Sequence, residues 1–103
     1  MADRHVAAYW KVKAGNEAEF IQRWKEFTGW STENAPGVRS FTLLHNEEAP
    51  QYFISYGSWA DEDSIKAWWE MPGFMERYES VQSLCEEHVG AIATLEALLT
   101  PTG

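Results

Sequence analysis

The sequence predicts an α+β fold with the element order β-α-β-β-α-β. Three observations indicate this class: an alternating strand near the N-terminus, two segments with helical periodicity, and two aromatic-rich strands joined by a short turn. The chain has 103 residues, a length that suits one domain. We expect residues 1–103 to fold as a single unit around one core.

The first two elements are a strand and a long helix. The segment HVAAYWKV, residues 5–12, has apolar residues on both of its alternating faces, which indicates a strand at least partly covered on both sides. A helix is expected over residues 17–33, where large apolar residues recur at helical spacing. Asn16 is its predicted N-cap, with Glu19 at the capping-box position, and Pro36 follows its end.

The next two elements form a predicted β-hairpin. Residues 38–45 (VRSFTLLH) and 51–59 (QYFISYGSW) are rich in β-branched and aromatic residues. The polar segment NEEAPQ between them is typical of a turn. Two strands with so short a link are expected to pair with each other.

The last part of the chain contains two helical segments and an ambiguous tail. Asp61 is a predicted N-cap, and Pro72–Gly73 is expected to break the helix that follows. A second helical stripe then runs from Phe74 to Cys85. The tail AIATLEALLT suits a helix by composition, because alanine and leucine dominate it. We predict instead a closing strand around Ala93–Leu99, since a strand there completes the β-α-β-β-α-β order.

The charge balance argues against polyanionic partners. Acidic residues number 16 and basic residues 8, the formal charge is -8, and the basic residues are scattered along the chain. Binding of nucleic acid or of an anionic membrane relies on clustered positive charge, so neither partner is expected. No apolar stretch reaches ~18 residues, the length that a membrane span requires.

Cysteine usage fits a reducing compartment. Cys85 is the one cysteine of the chain, which excludes an internal disulfide and a thiolate metal cluster within one chain. It has no basic residue near it in sequence, so we expect a small buried hydrophobic residue and not a nucleophile. The N-terminal segment lacks the long apolar region of a signal peptide, and a cytoplasmic location is expected.

The sequence contains no evident cofactor motif. The three histidines, His5, His45 and His88, lack the paired spacing typical of metal ligands, so no metal site is expected. No glycine-rich nucleotide motif such as GxGxxG is present. The sequence therefore indicates neither a flavin nor a nicotinamide, and we expect no cofactor.

Four segments carry a resemblance to a known family. KVKAGNEAEF, APGVRSFTLL, FISYGSW and IKAWWEMPGF occur in an order and spacing that resemble the antibiotic-biosynthesis-monooxygenase-like family of dimeric α+β barrels. The resemblance runs from the first strand to the tail. It implies a ferredoxin-like protomer whose sheet packs against that of a second copy in a homodimer. It also implies a pocket between the sheet and the helices of each protomer.

Members of this family differ in activity, so the fold alone does not select a function. They include cofactor-free oxygenases of polycyclic phenols and quinols, haem-degrading monooxygenases, and proteins with no assigned activity. The haem-degrading branch uses an Asn, a Trp and an iron-ligating His, which fall at Ala8, Trp68 and Tyr78 of this chain. Only the tryptophan is kept, so the resemblance argues against haem, although tyrosine ligates haem iron elsewhere.

The resemblance also implies that the pocket binds a planar aromatic small molecule. Trp68 is the predicted ring-stacking residue, although aromatic residues at helical spacing can equally form core. Trp69 lies about 100° further around the helix and is expected to pack, and Trp59 is expected to anchor the end of its strand. Strand parity leaves open whether Tyr56 faces the pocket or the dimer interface. The full set of expected substrate-binding residues is Trp68, Tyr56, Phe74, Trp24 and Ala8.

Two residues are candidates for catalysis. Tyr78 lies on one apolar stripe with Phe74. Its hydroxyl either makes a structural hydrogen bond or orients a substrate oxygen and donates to developing charge. His45 ends the second strand and is either an exposed histidine or a general base, a role that histidine side chains often serve.

The expected function is that of a cofactor-independent monooxygenase acting on an aromatic polyketide-like phenol or hydroquinone. Such chemistry requires the protein to bind a flat ring, promote its deprotonation and exclude water. Two alternatives stay open. One is a non-catalytic accessory dimer that binds a planar ligand without turnover, and the other is a haem-degrading monooxygenase.

Overall fold

The computed structural model describes residues 4–102 of the chain. Four strands, β1 (Arg4–Val12), β2 (Val38–His45), β3 (Tyr52–Trp59) and β4 (Cys85–Thr94), form a sheet in the order β2-β3-β1-β4. Neighbouring strands are antiparallel throughout. Three helices, α1 (Glu17–Asn34), α2 (Glu62–Trp69) and α3 (Phe74–Gln82), pack on the sheet. This is the predicted α+β, ferredoxin-like architecture, with the second helical region divided in two.

The register of the sheet determines which side chains face the helices. Trp10 of β1 lies opposite His88 of β4. Two residues earlier in β1, Ala8 lies opposite Ser55 of β3 and Gly90 of β4. Because side chains alternate across a strand, these five residues share one face, which we call the inner face. They form the floor of a space between the sheet and the helices.

The core on the inner face is built largely from aromatic side chains. Phe20 of α1 is fully buried, and its ring lies 5.4 Å from Trp10 and 4.7 Å from Phe53, measured between centroids. Fully burying a side chain of this size contributes roughly 1.5–3 kcal/mol, so a few such rings hold the helices on the sheet. Trp59, the predicted anchor at the end of β3, is also fully buried and lies 4.7 Å from Trp68.

The two predicted N-caps have different outcomes. Asp61 caps α2 as predicted, since its Oδ1 accepts a hydrogen bond from the Ser64 backbone N–H at 2.8 Å. This bond satisfies an N–H group at the helix start and contributes ~1 kcal/mol. Asn16 occupies the N-cap position of α1 as predicted, but its side chain makes no capping hydrogen bond. Instead, Glu17 accepts a hydrogen bond from the Gly15 N–H at 3.0 Å.

The predicted helix break at Pro72–Gly73 is confirmed, because α2 ends at Trp69 and α3 begins at Phe74. Gly73 has φ +94°, a left-handed conformation that glycine adopts without steric cost. Any Cβ at this position would also lie only 2.5 Å from Nη1 of Arg77. After the break, α3 packs against α1.

The last strand departs most from the predicted elements. β4 begins at Cys85, so the predicted helical stripe is wrong beyond Gln82, and the predicted strand at Ala93–Leu99 is wrong for most of its length. In the described residues, the last pair of the ladder between β1 and β4 joins Arg4 to Thr94. Residues 95–102 continue without a paired strand in the described part of the chain.

The other face of the sheet, which we call the outer face, carries apolar side chains. Tyr9 of β1, Ile54 of β3 and Val89 of β4 are 38%, 53% and 66% exposed. Strand alternation places Tyr56 and Leu44 on the same face. Within residues 4–102 no helix covers this face. The buried side chains of β1, Trp10 and Val12, lie on the inner face, whereas Tyr9 on the outer face is exposed.

Candidate functional site

A cavity of about 280 Å³ lies between the inner face and the three helices. Its floor comes from β1, β3 and β4, and its walls come from residues such as Trp24 and Phe27 of α1 and Trp68 of α2. Among the described residues that line it, none is Asp, Glu, Lys or Arg. An aromatic lining without these charges suits an apolar ring.

Two of the indole groups that line the cavity already have hydrogen-bond partners. The Trp68 indole N–H donates to Ser31 Oγ at 2.9 Å, and the Trp10 indole N–H donates to Ser55 Oγ at 2.9 Å. Trp68 is also packed from behind by Phe27, whose ring stacks on it at 5.5 Å. Both tryptophans therefore offer ring surface to a ligand, and their N–H groups serve the protein.

One polar pair interrupts this aromatic lining. The Tyr78 hydroxyl lies 2.8 Å from Nε2 and 3.1 Å from Nδ1 of His88. The His88 ring packs on Trp10 with centroids 4.2 Å apart, and the Tyr78 ring stacks on Phe74 with centroids 5.4 Å apart. A side chain of α3 and one of β4 are thus held together at the cavity wall.

Burial keeps both members of this pair uncharged near neutral pH. It raises the pKa of Tyr78 above the ordinary value of 10.0, and the Cys85 thiol adds to this effect. It lowers the pKa of His88 below the ordinary value of 6.5. A protonated phenol therefore donates its O–H to a neutral imidazole nitrogen. A neutral imidazole at a cavity wall can accept a proton from a bound molecule.

The structure brings most of the predicted substrate-binding residues to this cavity. Trp68, Trp24 and Ala8 line it, as does the predicted catalytic Tyr78. Phe74 lies behind the lining, with its ring 4.9 Å from Trp68 and stacked on Tyr78.

Tyr56 borders the cavity, but its side chain belongs to the outer face of the sheet. Its neighbours in β3, Ser55 and Gly57, are buried and lie on the inner face of the sheet. The Tyr56 ring instead lies 6.4 Å from that of His5. By strand alternation only the main chain of Tyr56 reaches the cavity. The Tyr56 side chain therefore lies on the outer face and not in the pocket, and its place in a dimer interface stays a prediction.

The structure does not bring the other predicted catalytic residue, His45, to the cavity. His45 is exposed at the end of β2, where its Nε2 lies 2.6 Å from the Pro50 carbonyl oxygen. Its ring stacks on Phe53 at 4.0 Å. The position matches the exposed strand-end alternative and gives no support to a catalytic role.

Most of the lining residues were not among the predicted site residues, and His88 and Trp69 are two of these. The predicted last strand began only at Ala93, so His88 was assigned to no strand face. An available signal was the alternation of His88, Gly90 and Ile92 with Val89 and Ala91, which is typical of a strand. Trp69 was expected to pack, yet it is 42% exposed and borders the cavity.

Residues 4–102 contain neither a metal-binding cluster nor a membrane-spanning helix. No group of three or more His, Cys, Asp or Glu side chains there could hold a metal ion. In the same range no helix is long and apolar enough to cross a membrane.

Solved structures with this fold show low sequence identity to the chain. A variant of SnoaB, a cofactor-independent oxygenase from Streptomyces nogalater, is 19% identical with a TM-score of 0.88, and the match covers 96% of this chain and 98% of that chain. A conserved protein from Methanosarcina mazei is 21% identical with a TM-score of 0.79, covering 90% and 92% respectively. The TM-scores show that these proteins share the fold of this chain. None of the curated proteins matches the sequence.

A family model gives a more specific result. The model of the family described as antibiotic biosynthesis monooxygenase matches residues 4–79, from β1 into α3. The match includes Trp68 and Tyr78 and ends before β4, so His88 lies outside it. Since the matched segment covers more than half of the chain, the protein belongs to the antibiotic biosynthesis monooxygenase family.

Proposed function

We propose that the protein is a cofactor-independent monooxygenase that oxidises an aromatic polyketide-like phenol or hydroquinone in the cavity. The observation that carries this proposal is the composition of the lining. Aromatic rings form most of it, and the polar pair of Tyr78 and His88 stands at its wall. Family membership and the fold shared with a cofactor-independent oxygenase support the same class of reaction.

The size of the cavity favours a compact substrate. A volume of about 280 Å³ is near the lower end of the ~300–1,000 Å³ typical of small-molecule sites. Trp24 and Trp68 present flat apolar surface on the helical side. We therefore expect a planar molecule of two or three fused rings, bound by ring packing and oriented by one oxygen atom at Tyr78.

The proposed reaction needs no bound redox group because the substrate supplies all the electrons. Loss of a proton makes the phenol an electron-rich anion, which passes an electron to O2, and the two radicals combine to a peroxide. The C–H bond at the oxidised carbon and the O–O bond of the peroxide then break, the outer oxygen leaves as water with that hydrogen and the phenolic proton, and a quinone remains. One oxygen atom enters the product, the other leaves as water, and O2 takes four electrons from the substrate. Tyr78 donates its O–H to the charge that develops on the substrate oxygen.

A haem group fits the cavity poorly. Haem is larger than the ligands typical of a space of about 280 Å³. Tyr78 holds the position that the resemblance assigns to an iron-ligating histidine, and its hydroxyl is hydrogen-bonded to His88 at 2.8 Å. We therefore derive no step through haem.

We also propose that the protein acts as a homodimer joined through the outer face of the sheet. Tyr9, Leu44, Ile54, Tyr56 and Val89 give this face a contiguous apolar surface, each between 38% and 66% exposed. Apolar patches of this kind on a small protein mark interaction sites. A second copy would bury the same patch on both partners.

The decisive experiment is oxygen uptake with a panel of anthrone-type and naphthol-type substrates. We expect at least one compound to be oxidised faster with protein than in buffer, with one quinone formed per O2 consumed. If every compound binds without acceleration, the protein is an accessory binding dimer and the enzymatic proposal fails. Stoichiometric release of hydrogen peroxide in place of water would contradict the proposed fate of the second oxygen atom.

A further inference from the structure

We propose that His88 is the general base of this reaction and that Gly90 keeps its Nε2 atom open to the substrate. This inference rests on the proposed function, because it names the group that deprotonates the phenol. His88 lies outside the segment that matches the family, so family membership does not assign it a role.

The position of His88 suits proton transfer at the cavity wall. Its ring lies against Trp10 at 4.2 Å, which fixes the plane of the imidazole. Its Nε2 lies 2.8 Å from the Tyr78 hydroxyl, so any substrate oxygen that meets Tyr78 also comes near this nitrogen. Hydrogen-bond reach of this kind is the geometric requirement for a general base.

Gly90 leaves free space beside the reactive nitrogen. It lines the cavity two residues after His88 on the same face of β4. A Cβ at Gly90 would lie 3.6 Å from Nε2 and 3.8 Å from Cε1 of His88. The backbone of Gly90 does not have a positive φ, unlike that of Gly73, so its conformation does not require glycine. We attribute its presence to the space that it leaves for a ligand.

No other described residue of the lining offers a comparable base. The lining contains no carboxylate or lysine, and burial keeps the Tyr78 phenol protonated. Ser55 accepts the Trp10 N–H, and its hydroxyl is too weak a base for a phenol. A neutral imidazole is therefore the strongest proton acceptor in contact with the cavity.

The proposed step is one proton transfer with a matching change of hydrogen bonds. The Tyr78 O–H first turns from the imidazole to the substrate oxygen, which frees the lone pair of His88. The substrate O–H bond then breaks, an N–H bond forms on His88, and the electron pair stays on the substrate oxygen. The imidazolium returns its proton to the oxygen that leaves as water, so His88 is neutral again after each turnover.

The pH dependence follows from the groups that surround His88. Tyr78 of α3 is the titratable group that contacts His88, and Trp10 of β1 packs on its ring. Cys85 at the start of β4 interacts with Tyr78, and Lys13 interacts with Cys85. Burial raises the pKa of Tyr78 above 10.0 and that of Cys85 to about 11. Burial lowers the pKa of His88 below 6.5. Since the base must be unprotonated, kcat/KM should fall on acidification through a pKa below 6.5.

The first test replaces one histidine at a time in the full-length protein. His88→Gln should lower kcat/KM about 100-fold, the low end for loss of a general base, and should remove the acidic limb of the pH profile. His45→Gln makes the same change at the exposed histidine and should keep the wild-type rate and profile. Circular dichroism verifies that both variants are folded. A loss at His45 and not at His88 would overturn the assignment.

The second test fills the space beside His88 without touching its chemistry. Gly90→Ala should raise KM about tenfold for the largest substrate that wild type accepts, while the acidic limb stays in place. Gly29→Ala on α1 is the matched control, because a Cβ there meets no atom within 4 Å. An unchanged KM in Gly90→Ala for substrates of every size would refute the role of Gly90.

The third test separates this inference from the oxygenase proposal. Para-nitrophenol, whose anion absorbs visible light, is titrated with the protein under nitrogen. The bound phenol should ionise at a lower pH on wild type than on His88→Gln, whether or not oxygen is ever consumed. Equal ionisation on both proteins would overturn the base assignment, even if oxygen uptake supports the enzyme. Ionisation that depends on His88 without oxygen uptake would leave the base in place and reject the oxygenase.

Discussion

The two faces of the sheet use similar residues for different purposes. On the inner face, Trp10 and Trp59 are almost fully buried beneath the helices. On the outer face, Tyr9, Ile54 and Val89 are 38–66% exposed. The difference lies in what covers each face, since both faces are apolar. The helices cover the inner face and leave a cavity, whereas within residues 4–102 nothing covers the outer face.

This comparison shows how one strand contributes to both surfaces. β1 alternates between inward residues such as Trp10 and outward residues such as Tyr9. The inner set fixes the site, because Trp10 supports His88 and donates its indole N–H to Ser55. The outer set suits a second protomer. A change on one face should therefore alter stability or catalysis, and a change on the other should alter assembly.

The largest expected effect is a loss of stability from the inner side. Trp68→Ala removes a side chain that is 4% exposed, packed on Phe27 and Trp59, and hydrogen-bonded to Ser31. The free energy of unfolding should fall by about 3–5 kcal/mol, as for other large-to-small core changes.

Trp69→Ala is the matched control in the neighbouring position of α2. Because Trp69 is 42% exposed, its loss should cost about 1 kcal/mol. Urea denaturation followed by circular dichroism measures both changes. Equal losses for the two variants would show that the packing contrast between these adjacent tryptophans is wrong.

The second expected effect concerns assembly through the outer face. Ile54→Asp places a charge in the centre of the proposed interface, where burial of an unpaired charge is costly. The dimer dissociation constant should rise at least about 100-fold, a change of about 2.7 kcal/mol. The protomer should stay folded because Ile54 is 53% exposed.

A matched charge elsewhere tests whether this effect is local to the interface. Met75 on α3 is 57% exposed and lies off the outer face, so Met75→Asp should leave the oligomeric state unchanged. Analytical ultracentrifugation over a range of concentrations measures both variants. A wild-type protein that is monomeric at every micromolar concentration would contradict the outer-face interface altogether.

Features with local causes were predicted well from the sequence. Asp61 caps α2 because its side chain needs only the Ser64 N–H three residues away. Pro72–Gly73 breaks the helix because proline and glycine act on their own backbone. Trp68 and Tyr78 lie at the cavity wall. Helical periodicity and the family resemblance both indicated these positions.

Features that depend on distant pairing were not predictable in the same way. β4 starts where β1 offers it a partner, and this register sets His88 opposite Trp10, 78 residues apart in sequence. The predicted strand at Ala93–Leu99 was wrong for most of its length, because a composition rich in alanine and leucine does not reveal which residues have a strand to pair with. Tyr56 illustrates the same limit, since alternation defines two faces but the placement of the helices decides which one is inner.

The smallest expected effect compares removal of one hydroxyl from each face. Tyr78→Phe keeps the ring stacked on Phe74 but deletes the O–H that we propose to stabilise the substrate oxyanion. We expect kcat/KM to fall about tenfold, which corresponds to about 1.4 kcal/mol. His88 should still act as base, so the acidic limb of the pH profile should persist, in contrast to its loss in His88→Gln. Tyr9→Phe deletes the same atom on the outer face and should leave kcat/KM unchanged. Steady-state oxygen uptake across pH measures all three variants, and equal rates for Tyr78→Phe and Tyr9→Phe would mean that the Tyr78 hydroxyl only supports the structure.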